Sequence, residues 1–84
     1  MNFIRIHTKN YIVVHGYDEH NKEIEETIEV NEPTEKLIAV NRILSISEKY
    51  ILTSYAHNRI IYWQYEEDFK QIQAQLKLQG FLIN

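Results

Sequence analysis

The hydrophobic residues near the start of the chain alternate with polar ones, which is the two-residue period of a β-strand. Residues 3–8 place Ile4 and Ile6 on one side of such a strand and Arg5 and His7 on the other. The alternation therefore predicts an opening strand with one apolar face.

A hairpin is predicted between residues 11–17 and 23–30, because the polar stretch 18–22 separates two runs of β-type residues. A helix over residues 22–30 is the alternative, since Glu and Lys are good helix formers. Pro33 then breaks the pattern, because proline fixes its own φ and restricts its predecessor. Further β-type runs follow at residues 37–40, 43–47, 50–55 and 59–65.

The last two of these runs are predicted to form a second hairpin with a two-residue turn at His57 and Asn58, because Asn tolerates positive φ. That turn places Tyr55 opposite Ile60. One face of the hairpin then carries Tyr50, Leu52, Ile61, Trp63 and Tyr65, and the other carries Ile51, Tyr55, Ile60 and Tyr62. Both faces are apolar, whereas a sheet with one wet side alternates apolar with polar residues. The second face is therefore covered either by strands 3–8 and 11–17 or by another chain.

The hydrophobic spacing changes to that of a helix at about position 65. Tyr65, Phe69, Ile72 and Leu76 lie four, three and four residues apart and form one stripe. Acidic residues in the first turn and a basic residue near the end suit the helix dipole, and a glycine suits the C′ position. These residues are Glu66, Glu67 and Asp68 at the start, Lys77 near the end and Gly80 after it. The 84 residues thus predict a single α+β domain, an antiparallel β-meander of about five to six strands with one C-terminal amphipathic helix.

The composition narrows the class of protein. The chain has no cysteine, which excludes disulfides, thiolate zinc sites and cysteine nucleophiles. No apolar run approaches the length of about 20 residues that spans a bilayer, and nothing near Met1 resembles a signal peptide. A cytoplasmic location without a membrane partner is the expectation.

The charge is distributed unevenly along the chain. Residues 18–35 carry eight carboxylates and the single cation Lys22, a net charge of −7, although the whole chain has a net charge of only −3. Glu23, Glu25 and Glu29 form a candidate acidic surface for a basic partner protein. Solubility and protection of a strand edge would explain the same charges without a partner.

Candidate catalytic and metal-binding residues have simpler explanations. His15, Asp18 and His20 could converge on a zinc ion at the mouth of the first hairpin, but a solvated polar turn has the same composition. The serines lie in strand-like runs without a nucleophile elbow, and two glycines cannot build a phosphate-binding loop. We therefore expect no enzyme, no metal, no cofactor and no small-molecule substrate; a small metal-dependent enzyme is the third alternative.

The chain has few basic residues that could bind nucleic acid. Arg42, Lys49 and Arg59, together with the tyrosines of residues 50–65, supply a few cations and aromatic rings. Aromatic residues at strand spacing usually belong to a core, so nucleic acid is not the expected partner. A nucleic-acid-binding regulatory domain is the alternative function.

Residues 37–76 have the outline of a known family. A Val-Asn pair precedes a strand of the form Ile-x-x-Ile-x-Glu, with Asn41, Ile43, Ile46 and Glu48 at the matching positions. This stretch resembles the small FlbD-like domains of bacteria and, more distantly, the second half of LytTR DNA-binding domains. The resemblance implies a regulatory or accessory protein that acts through contacts, and it supplies no catalytic residue. The glycine usual in the tight turn and the basic loops of LytTR domains are missing, and the acidic segment 18–35 has no counterpart.

The sequence therefore predicts a non-enzymatic accessory or regulatory module, of bacterial or phage type, that binds another protein. Self-association into a homodimer is the simplest form of such binding. The predicted contact surface consists of Ile51, Tyr55, Ile60 and Tyr62, joined by Phe81 and Leu82.

Overall fold

In residues 2–81, which the computed structural model describes, the chain forms a six-stranded antiparallel sheet and one α-helix. This confirms the α+β prediction. The strands are β1 (Phe3–Tyr17), β2 (Glu23–Ile28), β3 (Thr34–Ala39), β4 (Ile43–Ile46), β5 (Tyr50–Tyr55) and β6 (Arg59–Tyr65), and the helix is α1 (Phe69–Leu78). Short 3-10 turns at Val40–Arg42 and Ala56–Asn58 join β3 to β4 and β5 to β6.

The long strand β1 is the centre of the sheet, and the two predicted runs 3–8 and 11–17 are its two halves. Its second half pairs with β2, which confirms the first predicted hairpin and excludes the helix alternative. Its first half pairs with β3, and β6 pairs with its other edge. The neighbours along the sheet are β2-β1-β6-β5-β4, so the first and last strands lie side by side.

A bulge after Thr8 changes which side chains of β1 face the core. The pairing with β6 shifts between Thr8 and Tyr11, so Ile4 and Ile6 share a face with Tyr11 and Val13 although their numbers differ in parity. Beside the bulge, the Asn10 side-chain oxygen accepts a hydrogen bond of 2.9 Å from the backbone N–H of Val30.

The predicted register of the second hairpin is wrong by one residue. Tyr55 lies opposite Arg59 and not opposite Ile60, because the turn has three residues and not two. His57 and Asn58 both have positive φ, of 60° and 59°. A shift of one residue moves every side chain of a strand to the other face of the sheet.

One face of the sheet, here called the inner face, holds the hydrophobic core. Its buried residues come from four strands and the helix: Ile4, Ile6, Val13, Ile38, Ile51, Ile61, Trp63, Tyr65, Ile72 and Leu76. Each fully buried aliphatic side chain contributes about 1.5–3 kcal/mol. Two polar contacts fix the aromatic members: Trp63 Nε1 donates to Thr53 Oγ1 at 2.9 Å, and the Tyr65 hydroxyl donates to the Ser47 carbonyl at 2.6 Å.

The helix begins later than its hydrophobic stripe predicts. Tyr65 belongs to β6, and Glu66 and Glu67 precede the helix, so these three do not occupy its first turns. Asp68 is the N-cap and forms a capping box with Gln71. The rest of the prediction holds: Ile72 and Leu76 are buried, Lys77 lies in the last turn, and Gly80 follows with a φ of 83°.

β6 does not pair with most of the first half of β1, so one edge of that part is left open. Polar side chains from α1 and from the segment just before it cover this edge. Gln75 binds both backbone groups of Arg5, accepting from its N–H and donating to its carbonyl, each at 2.7 Å. Gln79 donates to the Phe3 carbonyl, and Glu67 accepts from the backbone N–H of His7 at 2.9 Å. The helix thus replaces a strand along this edge, which protects an otherwise open row of backbone groups.

The His7 ring strengthens the last of these contacts. Its Nδ1 lies 2.6 Å from Glu67 Oε2, and this hydrogen bond raises the pKa of His7. Desolvation acts against this shift, whereas the nearby charges of Glu35 and Glu66 also raise the pKa. Desolvation opposes the ionisation of Glu67, but its hydrogen bonds from the His7 ring and N–H outweigh that effect and lower its pKa. Both shifts favour the charged pair.

Candidate functional site

The face of the sheet opposite the core, here called the outer face, is also apolar. It carries Ile12 and Val14 from β1, Tyr50 and Leu52 from β5, and Ile60 and Tyr62 from β6. Val14 is only 3% exposed, and the other five are half-buried. The helix does not cover this face, because its buried residues Ile72 and Leu76 belong to the inner core.

Acidic groups border the outer face along β2. Glu25 lies opposite Val14 and Glu23 opposite Tyr17, so both carboxylates share this face. The Tyr62 hydroxyl donates to Glu23 Oε1 at 3.3 Å. Burial, followed by the charge and hydrogen bond of Glu23, raises the pKa of Tyr62, so its hydroxyl stays protonated and able to donate.

A basic group borders the opposite side of the outer face. The rings of Tyr50 and Tyr62 meet edge to face with centroids 5.9 Å apart. The Lys49 ammonium lies 5.4 Å from the centre of the Tyr50 ring. The outer face is thus an apolar strip with Glu23 and Glu25 on one side and Lys49 on the other.

The predicted contact surface is divided between different parts of the molecule. Ile60 and Tyr62 lie on the outer face, whereas Ile51 is completely buried on the inner face and cannot contact a partner. Tyr55, 46% exposed, points to the inner side; Phe81, also 46% exposed, follows the helix, and Leu82 lies outside the described residues. The error follows from the register of the second hairpin.

Sequence reasoning missed four residues of the outer face: Ile12, Val14, Tyr50 and Leu52. Tyr50 and Leu52 were assigned to the opposite face through the same register error. The alternation within residues 11–17 indicates that Ile12 and Val14 share a face. Because the bulge after Thr8 shifts the alternation by one residue, the pattern of residues 3–8 does not show which face that is.

The acidic candidates separate in the same way. Glu23 and Glu25 join the outer face, and Glu29 follows the end of β2 as an exposed residue. Glu26 faces inward, where its Oε1 lies 2.8 Å from His15 Nε2. The structure therefore brings two of the three proposed acidic residues beside Tyr62.

The histidine candidates for zinc do not converge. His15 contacts Glu26, and the Asp18 carboxylate accepts backbone hydrogen bonds from His20 and Lys22 at 2.8 and 2.9 Å. Asp18 thereby closes the turn between β1 and β2. Across residues 2–81, no group of three or more His, Asp or Glu side chains is arranged to hold a metal ion.

Two of the three cations proposed for nucleic acid lie along one groove on the inner side of the sheet. Arg42 lines a cleft of about 220 Å³ with Lys36, Tyr55 and Trp63. Arg59 lines an adjoining cleft of about 350 Å³ that shares Lys36, Tyr55 and Trp63. Lys49 lies beside Tyr50 on the outer side instead. We call the two joined clefts the inner groove.

Comparisons of the chain with protein-family models, with curated proteins and with solved structures find no match. No helix within residues 2–81 has the length and apolar character that crossing a membrane requires.

Proposed function

We propose that this protein is a non-enzymatic accessory module that acts by protein–protein binding, and that its outer face pairs with the outer face of a second copy. The observation that carries the proposal is the second apolar side of the sheet, where five other hydrophobic residues surround Tyr62 and the helix offers no cover. Contiguous apolar patches of this kind are typical of interaction sites. The FlbD-like outline of residues 37–76 supports the same class of function.

A second copy fits because the borders of the face are complementary to each other. The strand order places β2, which is followed by Glu29, and β5, which begins beside Lys49, on opposite sides of β1 and β6. A two-fold axis parallel to the strands, between two stacked sheets, would lay β2 of one copy over β5 of the other. Stacked sheets of this type form a common and stable arrangement.

The pairing register indicates which charges would meet. Tyr50 lies opposite Gln64, one residue beyond the aligned row of Trp63, Tyr11 and Ile28. The two-fold axis keeps positions level along the strands, so Lys49 of one copy would lie near Glu29 of the other. Such pairs at the border of an interface steer association and set its register more than they add affinity.

The first experiment measures the mass of the protein by sedimentation equilibrium. We expect a dimer for the wild type and a folded monomer for Tyr62→Glu, because a carboxylate at the centre of the interface costs about 2 kcal/mol or more. Tyr55→Glu is the matched control, since Tyr55 is an exposed tyrosine on the inner side. A wild type that stays monomeric at about 1 mM, where even an association of −4 kcal/mol is detectable, would refute self-association.

The second experiment tests the orientation by charge exchange. Lys49→Glu should weaken the dimer, by about tenfold if each of its two symmetric ion pairs contributes under 1 kcal/mol. Adding Glu29→Lys should restore the affinity. Lys70→Glu, on the exposed side of the helix, is the control. Equal weakening of the dimer by Lys49→Glu and Lys70→Glu, with no recovery of affinity on adding Glu29→Lys, would contradict this orientation. The acidic residues would then be better explained by a different partner, such as a basic protein.

A further inference from the structure

The inner groove concentrates positive charge in an acidic protein. Its three cations, Lys36, Arg42 and Arg59, have no carboxylate within 4.0 Å among the described residues. The carboxylate that reaches the groove, Glu26, is already bound to His15. The groove therefore has an excess of positive charge although the whole chain carries −3.

Lys36 is held at the centre of this groove. Its Nζ lies 4.4 Å from the centre of the Trp63 ring, and the residue is half-buried. Trp63 is fixed in turn by its hydrogen bond to Thr53 and by the Tyr11 ring, whose centroid is 4.6 Å away. A cation–π contact stabilises a partly desolvated ammonium, but it leaves the N–H donors available to an anion.

An aromatic surface adjoins these cations. The Arg59 guanidinium lies 4.8 Å from the centre of the Tyr55 ring, and its Nε donates to the Ala56 carbonyl at 3.0 Å, which holds it in place. Tyr55 remains 46% exposed although Arg59 covers part of its ring. A planar ring can therefore stack on Tyr55 while a charged group attached to it reaches Lys36 and Arg42.

We infer that the inner groove binds a nucleoside monophosphate, with the base on Tyr55 and the phosphate between Lys36 and Arg42. This goes beyond self-association and beyond the expectation from sequence that no small molecule binds. A doubly charged phosphate matches several cations better than a single carboxylate does. A free nucleotide suits the clefts of about 220 and 350 Å³, and the acidic segment 18–35 repels a long polyanion.

Trp63 provides an intrinsic probe, because it is the single tryptophan of the chain and lines both clefts. The experiment titrates the full chain at low salt with adenosine monophosphate, adenosine and inorganic phosphate, and follows Trp63 fluorescence and binding heat. We expect saturable binding of adenosine monophosphate, and weaker binding of adenosine and of phosphate alone. Absence of saturable binding of the monophosphate up to about 1 mM would overturn the inference.

Variants test the assigned roles. Lys36→Gln and Arg42→Gln should each weaken monophosphate binding about tenfold, because each removes a charged hydrogen-bond donor. Arg42 is exposed, so its variant remains informative if Lys36→Gln fails to fold. Lys70→Gln is the matched control and should bind as the wild type does. Equal binding by Arg42→Gln and Lys70→Gln would overturn the assignment.

A single-stranded oligonucleotide distinguishes the competing ligand. Binding of the oligonucleotide without binding of the monophosphate would overturn the inference in favour of a nucleic-acid function. The result is also separable from self-association, because Tyr62→Glu alters the outer face only and should bind the monophosphate as the wild type does.

Discussion

Gln75 is expected to be the most sensitive position of the contact between the helix and β1. Gln75→Ala removes two hydrogen bonds of 2.7 Å to the Arg5 backbone. Each such bond contributes about 0.5–1.5 kcal/mol. Arg5 is exposed, so water partly replaces the lost partner, and Ala is the better helix former by a few tenths. We therefore expect a loss of about 1–2 kcal/mol in the free energy of unfolding.

Urea unfolding monitored by circular dichroism measures this loss, with an unchanged m-value. Gln73→Ala is the matched control, because Gln73 lies exposed on the same helix and makes the same change in propensity. Hydrogen exchange supplies a local readout: the Arg5 amide should lose protection in Gln75→Ala and keep it in Gln73→Ala. Equal midpoints for the two variants, with Arg5 still protected, would show that the helix does not protect this edge.

Three further changes test other contacts by urea unfolding. The bond to Glu67 raises the pKa of His7. With respect to His7, the stabilisation by this pair is therefore fully present below about pH 6.5, the pKa of His in the unfolded chain, and is lost as the pH rises through the raised pKa of the folded protein. His7→Gln should abolish this dependence on pH. Thr53→Val leaves the buried Trp63 N–H without its acceptor and should cost about 1–3 kcal/mol, whereas Thr53→Ser keeps the hydroxyl and should cost less. His57→Gly relieves a positive φ and should stabilise by up to about 1 kcal/mol; a destabilised variant would contradict that account.

The elements that could be predicted from sequence are those that depend on local chemistry. The polar turn at 18–22 separates β1 from β2, and Asp18 closes it with its own side chain. Gly80 ends the helix because it adopts a positive φ. In both cases the residue itself forms the turn or the helix end, so its type in the sequence predicts the local structure.

The errors arise where the structure depends on counting residues across a turn or a bulge. A third residue in the turn at Ala56–Asn58 exchanges the faces of β5 relative to β6, and this moves Ile51 into the core. The bulge after Thr8 lies within the single strand β1, whose two halves look like separate strands in the sequence. The inner groove was not predictable at all, because Lys36 and Trp63 lie on strands that pair with different parts of β1 and meet only in the folded sheet.

The size of the chain explains why the helix leaves one apolar face of the sheet uncovered. A helix of ten residues is about 15 Å long, and five strands side by side are about 20 Å wide, so one helix covers at most one face of this sheet. If a second copy covers the outer face, unfolding is coupled to dissociation and the melting temperature rises with protein concentration. Tyr62→Glu should remove that dependence while retaining a cooperative transition, because the inner core does not include Tyr62. A wild-type melting temperature that is constant over a hundredfold range of concentration, or an equal rise in Tyr62→Glu, would contradict the pairing of outer faces.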